Sequence, residues 1–537
     1  MTSSLISEAL PASSKPESRS ERGRQLGNLL GLFLLFAVTT VFHSMRGFWY
    51  DELFTFHMTQ QPSVWKALVG GADVNPPLGY LIIRAFQSVF GSSELVTRMP
   101  EGLGFFLMSI CLYRFVARNS SAVFGYVAAL LPWCSGAYYL ANEARPYGLM
   151  LGFAGVALVC WQEAAERERA RTWFLIGFTA SLSAAALSHC YAVLIFIPFG
   201  IAEIVRQFER RHFDGKMWAA LIAPTACTGF YFPLLASMKP YVYDNYFFKV
   251  SWTAIPEVYG FYLGPVLWPL AIGALLMTVP AFTAKSAPFD DVGAGAPPRS
   301  VRWHEWAVAG GFTILPCVAV VLAKSMGSQF FPRYAATGVL GFGLLLALSL
   351  RWRGTPERTT GWVATGFLVG YCVAFGQWLY PIMNVTPSAE KASLEKMERR
   401  QSPFDIRPEL PFVAANGIHF FEIDHYGASS VTARLYYLVD RDSALEYTQA
   451  DIFDSGFPVI MRWFPMHGKL APYKEFVRQH PKFLVYGSYL FPNDWLLKKL
   501  IDDGATVSLI TDKPSTIGDC MLFEVTPRQT QQPTSGN

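Results

Sequence analysis

Long apolar stretches separated by short polar loops run through the first two thirds of the chain. About 20 apolar residues cross the hydrocarbon core of a bilayer, so the pattern predicts about eleven membrane-spanning helices. We place these spans near residues 26–45, 101–118, 121–140, 146–162, 172–188, 190–205, 217–237, 257–282, 305–323, 332–350 and 361–381. The fifth and sixth are almost continuous, so the count can change there by one or two. The pattern is typical of an α-helical polytopic membrane protein.

The last part of the chain has a different pattern, in which short apolar runs alternate with helical stretches. Strands are predicted at Phe412–Ala415, Leu435–Val439, Phe483–Tyr486, Thr506–Ile510 and Met521–Val525. A capped helix is predicted over residues 493–501, between two of these strands. Strand–helix–strand order is typical of a small α/β domain, here residues 401–527.

The remaining segments complete the predicted domain organisation. Residues 1–24 are serine-rich and predict a disordered tail rather than a cleaved signal peptide, because the apolar run that follows is too long. Residues 25–384 form the membrane domain, with a long first loop at 46–100. Residues 385–400 are a charged linker, whose pattern also suits an amphipathic helix at the membrane surface, and 528–537 are a polar tail.

Composition agrees with a membrane protein and excludes several other classes. The chain has 537 residues, of which 52% are hydrophobic and only 16% charged, whereas soluble domains carry about 25% charged residues. The chain has neither a basic patch for nucleic acid nor a Gly-x-Gly-x-x-Gly motif for a nucleotide. Seven of the eight cysteines lie in apolar segments, so no disulfide framework is expected.

Basic residues in the loops predict how the chain is oriented in the membrane. Arginines 19, 22 and 24 precede the first span, and every second loop after it is rich in Lys and Arg. The positive-inside rule then places the N-terminus in the cytoplasm. The first loop at 46–100 and the C-terminal α/β domain are expected outside, which makes the chain a multi-pass protein of the cell membrane with an extracytoplasmic domain.

Two adjacent carboxylates, Asp51 and Glu52, follow the first span. An arbitrary acidic pair at the end of a helix is often no more than a solvated polar surface. Here Trp49, Tyr50 and Leu53 surround the pair, which predicts a partly buried setting at the membrane surface. A carboxylate in such a setting can act as a general base.

The other unusual polar residues fall in loops on the same predicted side. Several of them can also be explained by structure alone. Asp73–Pro77 can be a stiff turn, Arg98 can pair with Glu94, and His189 can be a packing residue. An arginine at a helix N-terminus needs a partner, which for Arg145 is Glu143 or a bound anion. Several arginines and a lysine on one face also suit a phosphate clamp. The candidate binding residues are Asp73, Asn75, Arg98, Glu143, Arg145, Tyr147, His189, Tyr191, Lys324, Arg333 and Tyr334.

Taken together, these motifs resemble those of the GT-C glycosyltransferases. The matching pieces are Tyr50-Asp51-Glu52, Asn75-Pro-Pro-Leu78, Arg98-Met-Pro100, Glu143-Ala-Arg-Pro-Tyr147, Ser188-His-Cys-Tyr191 and Arg333-Tyr334, in the family's order. The chain looks like the bacterial branch that includes the Rgt-type lipopolysaccharide-core transferases. More distantly, it is similar to lipid A aminoarabinose transferases and protein O-mannosyltransferases. The resemblance covers roughly residues 25–350 and not the C-terminal domain.

The resemblance implies an inverting transfer of a sugar from a polyprenyl phosphate, with Asp51 as the catalytic aspartate. Relatives have a lysine or histidine before the Pro-Pro pair, whereas this chain has Asn75. The donor phosphate is therefore expected to bind Arg145, Arg333, Lys324 or His189. The acceptor can be a glycan, a lipid or a protein. No cofactor is required, although a divalent metal could bind Asp51, Glu52 and His189.

Two other functions fit parts of the pattern. A transporter or flippase is the main alternative, since charges within membrane spans are its usual mark. The charges here gather at one face, and repeated halves are not evident. A sensor or scaffold with an outer-surface domain is the third reading, but it does not account for the one-sided set of acids and arginines.

Overall fold

The protein is described here from a computed structural model. The structure describes residues 19–44, 46–120, 122–238, 250–271, 302–327, 330–352, 357–384, 406–488, 494–511 and 520–528. Most of the predicted N-terminal tail, the linker at 385–400 and nearly all of the tail at 528–537 lie outside these ranges. The α/β domain is described from residue 406.

The first part of the chain forms a helical bundle. Its α-helices are α1 Arg19–Ser44, α2 Tyr50–Thr59, α3 Val64–Val69, α4 Leu78–Phe90, α5 Glu94–Asn119, α6 Ala122–Cys134, α7 Tyr147–Glu166, α8 Arg171–Ser188, α9 Phe196–Arg210, α10 Gly215–Ile222, α11 Tyr231–Met238, α12 Ala254–Leu263, α13 Trp303–Ser325, α14 Gly338–Trp352 and α15 Glu357–Asn384. Short 3₁₀ segments continue several of them, at Tyr138–Asn142, Cys190–Ile195, Ala223–Phe230, Gly264–Val266 and Pro332–Ala335. Helix is found at each of the eleven predicted positions, although residues 272–282 of the eighth predicted span lie outside the described ranges.

Length and composition support membrane crossing for several of these helices. Five helical stretches in the described residues are long and apolar enough to cross a bilayer: Glu94–Arg118, Tyr147–Glu166, Cys190–Arg210, Gly215–Ser237 and Trp303–Ser325. Shorter apolar helices accompany them. The predicted class, an α-helical polytopic membrane protein, is therefore confirmed.

The region between the first two spans is more helical than the sequence analysis expected. Asp51 and Glu52 lie in the first turn of α2 rather than in a loop. The Pro-Pro turn leads directly into α4, which starts at Leu78. The second span begins at Glu94, where Ser93 caps α5 by accepting a hydrogen bond from the amide of Val96. Helical geometry fixes the directions of side chains that a loop would leave variable.

Small residues let α5 and α7 approach closely. A Cβ atom on Gly104 would lie 2.5 Å from the carbonyl oxygen of Gly148, and one on Gly152 would lie 2.6 Å from the carbonyl oxygen of Gly104. Backbone contact of this kind is a common way to pack helices in membranes. It holds the start of α5 against the start of α7, and both helix starts contribute to the site described below.

Basic and acidic side chains join several helices at one end of the bundle. Arg118 of α5 contacts Glu163 of α7 at 3.0 Å, and Arg206 of α9 contacts Asp214 at 2.7 Å. The amide of Trp303, at the start of α13, donates to Glu209 of α9. The charge pattern of the loops predicts that these helix ends face the cytoplasm. Within the described residues, the first loop meets the turns that hold Arg145 and Arg333 at the opposite end.

The C-terminal part forms a six-stranded mixed sheet. Its strands are β1 Phe412–Ala414, β2 Leu435–Val439, β3 Lys469–Pro472, β4 Phe483–Gly487, β5 Thr506–Thr511 and β6 Met521–Thr526, in the order β3-β2-β1-β4-β6-β5. Strands β1 to β4 are parallel to one another. Strand β6 runs antiparallel to β4, and β5 runs antiparallel to β6. The intervening helices are α16 Gly417–Tyr426, α17 Ser429–Thr432, α18 Arg441–Thr448, α19 Ile452–Ile460, α20 Tyr473–Gln479 and α21 Leu496–Asp502. All five predicted strands are confirmed.

The C-terminal domain packs directly on α2. The ring of His57 packs against two phenylalanine rings of that domain, with centroids 5.3 Å from Phe421 and 5.2 Å from Phe464. Burial lowers the pKa of His57 to about 4, with His425 nearby adding to the shift, so the imidazole is neutral at ordinary pH. The hydroxyl of Tyr426 also accepts a hydrogen bond from the amide of Phe48, at 2.6 Å. The domain thus holds the helix that carries Asp51.

Candidate active site

Two ion pairs lie next to each other at the end of the bundle that contacts the C-terminal domain. Asp51 of α2 contacts Arg333 at 3.0 Å between Oδ2 and Nη2. Asp73 contacts Arg145 at 3.1 Å between Oδ2 and Nη1. The same Nη1 of Arg145 lies 3.4 Å from the backbone oxygen of Asp51. The two arginines therefore converge on one residue, although 188 positions separate them in sequence (333 − 145).

Asp73 is held by more than its arginine. The hydroxyl of Tyr80 donates to Oδ2 at 2.5 Å, and the amide of Val74 donates to Oδ1 at 2.6 Å. Burial alone would raise the pKa of Asp73, but Arg145 and these donors bring it below its usual value. Asn75, which departs from the family's basic residue, donates to Asp73 Oδ1 through both its amide and its side chain. Asp73 is therefore an ionised anchor that orients Arg145.

Glu52 is fully buried and bound to Arg98. Nε and Nη2 of Arg98 each contact one carboxylate oxygen at 2.6 Å, and the amide of Ala144 donates to Oε1 at 2.8 Å. Burial alone would raise the pKa of Glu52, yet Arg98 lowers it below the usual range. The alternative Arg98–Glu94 pair does not form, because Arg98 binds Glu52 while Glu94 accepts a hydrogen bond from Tyr426. This arrangement gives Glu52 a positioning role beside the predicted catalytic one.

Glu143 is buried in the same region and has a different environment. Its Oε2 has no hydrogen-bond partner in the described structure. Burial raises the pKa of Glu143 to about 7, with Glu52 adding to the shift and Arg46 and Arg333 opposing it. Glu143 is not the partner of Arg145, because that arginine pairs with Asp73.

Aromatic rings line the site between α7 and the 3₁₀ segment at Pro332–Ala335. The rings of Tyr191 and Tyr334 stack with centroids 4.3 Å apart, and His189 lies 4.4 Å from Tyr147. The Nδ1 atom of His189 accepts a hydrogen bond from the amide of Tyr191. His189 is buried, and its ring nitrogen thereby caps the next segment as well as facing the site.

Two sequence-based expectations receive no support from this geometry. Lys324 donates to the carbonyl of Val250 at 2.9 Å and lies over the ring of Trp252, rather than among the arginine contacts. Among the described residues, no three His, Cys, Asp or Glu side chains are grouped to hold a metal ion. A phosphate contact from Lys324 and a metal bound by Asp51, Glu52 and His189 both stay predictions.

Three residues at the site were not among the candidate catalytic or binding residues predicted from the sequence. Trp49 lies over Arg333, with 5.6 Å between the ring centroid and Cζ. Arg46 lies 3.6 Å from Glu52, and Tyr80 binds Asp73. Arg46 and Trp49 lie only a few positions before Asp51, so their closeness in sequence could have marked them as site residues. Tyr80 follows the Pro-Pro turn, and only the direction of α4 in the structure shows that its side chain points back to Asp73.

Comparison with known proteins places this geometry in a wider context. Residues 74–233 match the family model of the dolichyl-phosphate-mannose-protein mannosyltransferases. The chain is similar in structure to ArnT from Cupriavidus metallidurans in the apo state, with 13% identity, a TM-score of 0.54, and 94% of this chain and 98% of that chain covered. For the same protein bound to undecaprenyl phosphate, identity is 14%, the TM-score is 0.52, and the coverage is 93% and 98%. No curated protein matches the sequence significantly.

The overall fold and the family match over part of the chain agree with each other. The helical bundle with its C-terminal α/β domain has the GT-C fold of ArnT, and part of that bundle carries the match to the mannosyltransferase model. The region that matches the mannosyltransferase model includes Arg145 and His189 and begins directly after Asp73.

Proposed function

We propose that the protein transfers a sugar from a polyprenyl phosphate to an acceptor hydroxyl at the outer face of the cell membrane, with inversion at the anomeric carbon. The observation that carries this proposal is the convergence of Arg333 and Arg145 on Asp51. It brings a candidate base and two phosphate-binding cations into one site. The family match and the undecaprenyl phosphate bound to ArnT support a donor of this chemical kind.

In this mechanism the polyprenyl tail lies in the bilayer and its phosphate reaches the two arginines. Arg333 is shared between Asp51 and the incoming phosphate, whereas Arg145 is oriented by Asp73. Both guanidinium groups stabilise the phosphate as it leaves, an electrostatic contribution to catalysis. Asp51 accepts the proton of the attacking hydroxyl as that oxygen bonds to the anomeric carbon. General-base assistance typically accelerates a reaction by about 10²–10⁴-fold.

The proposed sidedness can be tested with reporter fusions. We expect a reporter fused after residue 528 to be active outside the cytoplasm, because the C-terminal domain packs on α2, next to the site. A reporter in the turn after Arg210 of α9 should be active inside, since that helix end belongs to the basic end of the bundle. Paired alkaline phosphatase and fluorescent-protein fusions measure both. Cytoplasmic activity of the C-terminal fusion would contradict the orientation.

Substitution of Arg333 tests the phosphate contact. Lys keeps the charge but cannot present the planar fork of Arg, so Arg333→Lys should weaken donor use and Arg333→Ala should weaken it further. A lost charge-assisted hydrogen bond costs about 1.5–3 kcal/mol, which corresponds to about one to two decades in kcat/KM. The measurement is donor affinity and turnover on matched amounts of folded protein.

Arg441→Lys is the matched control, because Arg441 also pairs with an aspartate, Asp451, but lies in the C-terminal domain. It should leave donor affinity unchanged. If Arg333 only anchors a helix, its variants will lower protein yield while the purified protein keeps wild-type donor affinity, and that result would remove the arginine from the mechanism.

A further inference from the structure

Three buried polar atoms around Asp51 have no hydrogen-bond partner in the described structure. They are Nε1 of Trp49, Nε of Arg333 and Oε2 of Glu143. Buried polar atoms are nearly always paired, and an unpaired one costs about 1–3 kcal/mol. Three such atoms in one place indicate that a ligand completes the site.

The positions of the three residues tie them together. Trp49 is the N-cap residue of α2, two positions before Asp51, and its ring lies 5.6 Å from Cζ of Arg333. Arg333 in turn contacts Asp51. Charged and titratable groups of several elements act on Glu143: Asp51 and Glu52 of α2, Arg46 before α2, Arg333, and Tyr139.

The polarity of the unpaired atoms indicates what they bind. The Nε atom of Arg333 is a cationic donor and suits the phosphate of the proposed mechanism. The other two atoms are an indole N–H, which can only donate, and a carboxyl oxygen that accepts. A sugar hydroxyl both donates and accepts, so neighbouring hydroxyls can satisfy both groups. Burial and Glu52 raise the pKa of Glu143 to about 7, so its carboxyl group can also donate when protonated.

We infer that Trp49 and Glu143 form a subsite for the sugar of the lipid-linked donor, in which Glu143 Oε2 accepts a hydrogen bond from one sugar hydroxyl and Trp49 Nε1 donates to another. This inference rests on the proposed function, because it assumes that the phosphate of the donor occupies Arg145 and Arg333. It separates the site into a phosphate part and a sugar part. The phosphate part can bind any polyprenyl phosphate, whereas the sugar part recognises the sugar that is transferred.

Comparing two kinds of ligand tests this division. Binding to purified wild-type protein is measured for bare undecaprenyl phosphate and for a panel of undecaprenyl-phosphate-linked hexoses and pentoses. The sugar-bearing lipid that binds most tightly is then titrated against Glu143→Leu and Trp49→Phe. We expect each variant to weaken its binding about 10-fold and to leave the affinity for bare undecaprenyl phosphate unchanged. Glu143→Gln keeps an acceptor oxygen and should recover most of the affinity that Glu143→Leu loses.

Trp218→Phe is the matched control. Nε1 of Trp218 is also buried without a hydrogen-bond partner in the described residues, but it lies on α10 at the other end of the bundle, so this variant should bind both lipids normally. Equal losses for both lipids in the Glu143 and Trp49 variants would overturn the sugar subsite, as would no loss for either. A panel in which no sugar strengthens wild-type binding overturns it too. Failure of wild-type protein to bind any of these lipids would instead reject the proposed function.

Discussion

Asp51→Asn is expected to abolish sugar transfer while leaving the folded protein and its donor binding intact. Asparagine keeps the shape of the side chain but cannot accept a proton from the acceptor hydroxyl, so turnover should fall by about 10²–10⁴-fold. Donor affinity should be retained or improved, because Arg333 no longer shares its guanidinium group with a carboxylate. Turnover with a polyprenyl-phosphate sugar and the binding of undecaprenyl phosphate are measured on the same preparation.

Asp442→Asn provides the matched control for this variant. Asp442 also lies in the first turn of a helix, α18, but is exposed on the C-terminal domain. Its substitution should leave turnover at the wild-type value. Near-normal turnover in Asp51→Asn would show that another group takes the proton. Glu143 would then be the next candidate, since the pKa of its buried carboxyl group is about 7.

Arg98→Met is expected to destabilise the protein strongly, through the buried charge that it leaves on Glu52. Arg98 and Glu52 are both fully buried and share two contacts of 2.6 Å. Removing one partner of a buried ion pair typically costs about 3–5 kcal/mol, because the other charge remains without compensation. Arg98 also donates to the backbone oxygens of Ser44, Arg46 and Gly47, so the chain that leads into α2 should loosen as well. The free energy of unfolding in detergent measures the effect.

Two further variants distinguish this explanation from a general loss of packing. Arg441→Met removes one partner of a half-exposed pair with Asp451, and exposed pairs contribute only about 0–1 kcal/mol. The double variant Arg98→Met/Glu52→Leu replaces both charges by apolar groups, so it should recover part of the lost stability. If the double variant is no more stable than Arg98→Met, the unpaired charge is not the cause.

The sequence predicted the helical segments because their signal is local. A span such as Trp303–Ser325 is a continuous apolar run, and its length alone identifies it. The shared side of Asp51, Arg145 and Arg333 could also be predicted, because positive charge marks the opposite loops. Strand β3 was missed for a physical reason. Lys469–Pro472 has only four residues and lies at the edge of the sheet, where a lysine and a proline are tolerated and no alternating apolar pattern is required.

Pairing within the site could not be predicted, because it depends on long-range geometry. Glu94 lies at the favourable i,i+4 spacing from Arg98, yet Arg98 binds Glu52, which α2 brings to it from 46 positions away. For Arg145 the sequence offered Glu143, two residues distant, or a bound anion, whereas the turn at Asp73 supplies its partner. Local spacing cannot rank these choices, since each ion pair forms only when distant segments of the chain have packed against each other.

The most direct test of the account is to follow the lipid product formed by the purified protein. Wild-type protein in lipid nanodiscs is incubated with a panel of undecaprenyl-phosphate-linked sugars and an extract of envelope acceptors, and the lipids and glycans are analysed by mass spectrometry and NMR. The account predicts that at least one donor is converted to bare undecaprenyl phosphate, that its sugar appears on the acceptor with the opposite anomeric configuration, and that Asp51→Asn prevents both changes. Donors that remain intact with every sugar, or conversion that proceeds equally with Asp51→Asn, would contradict it.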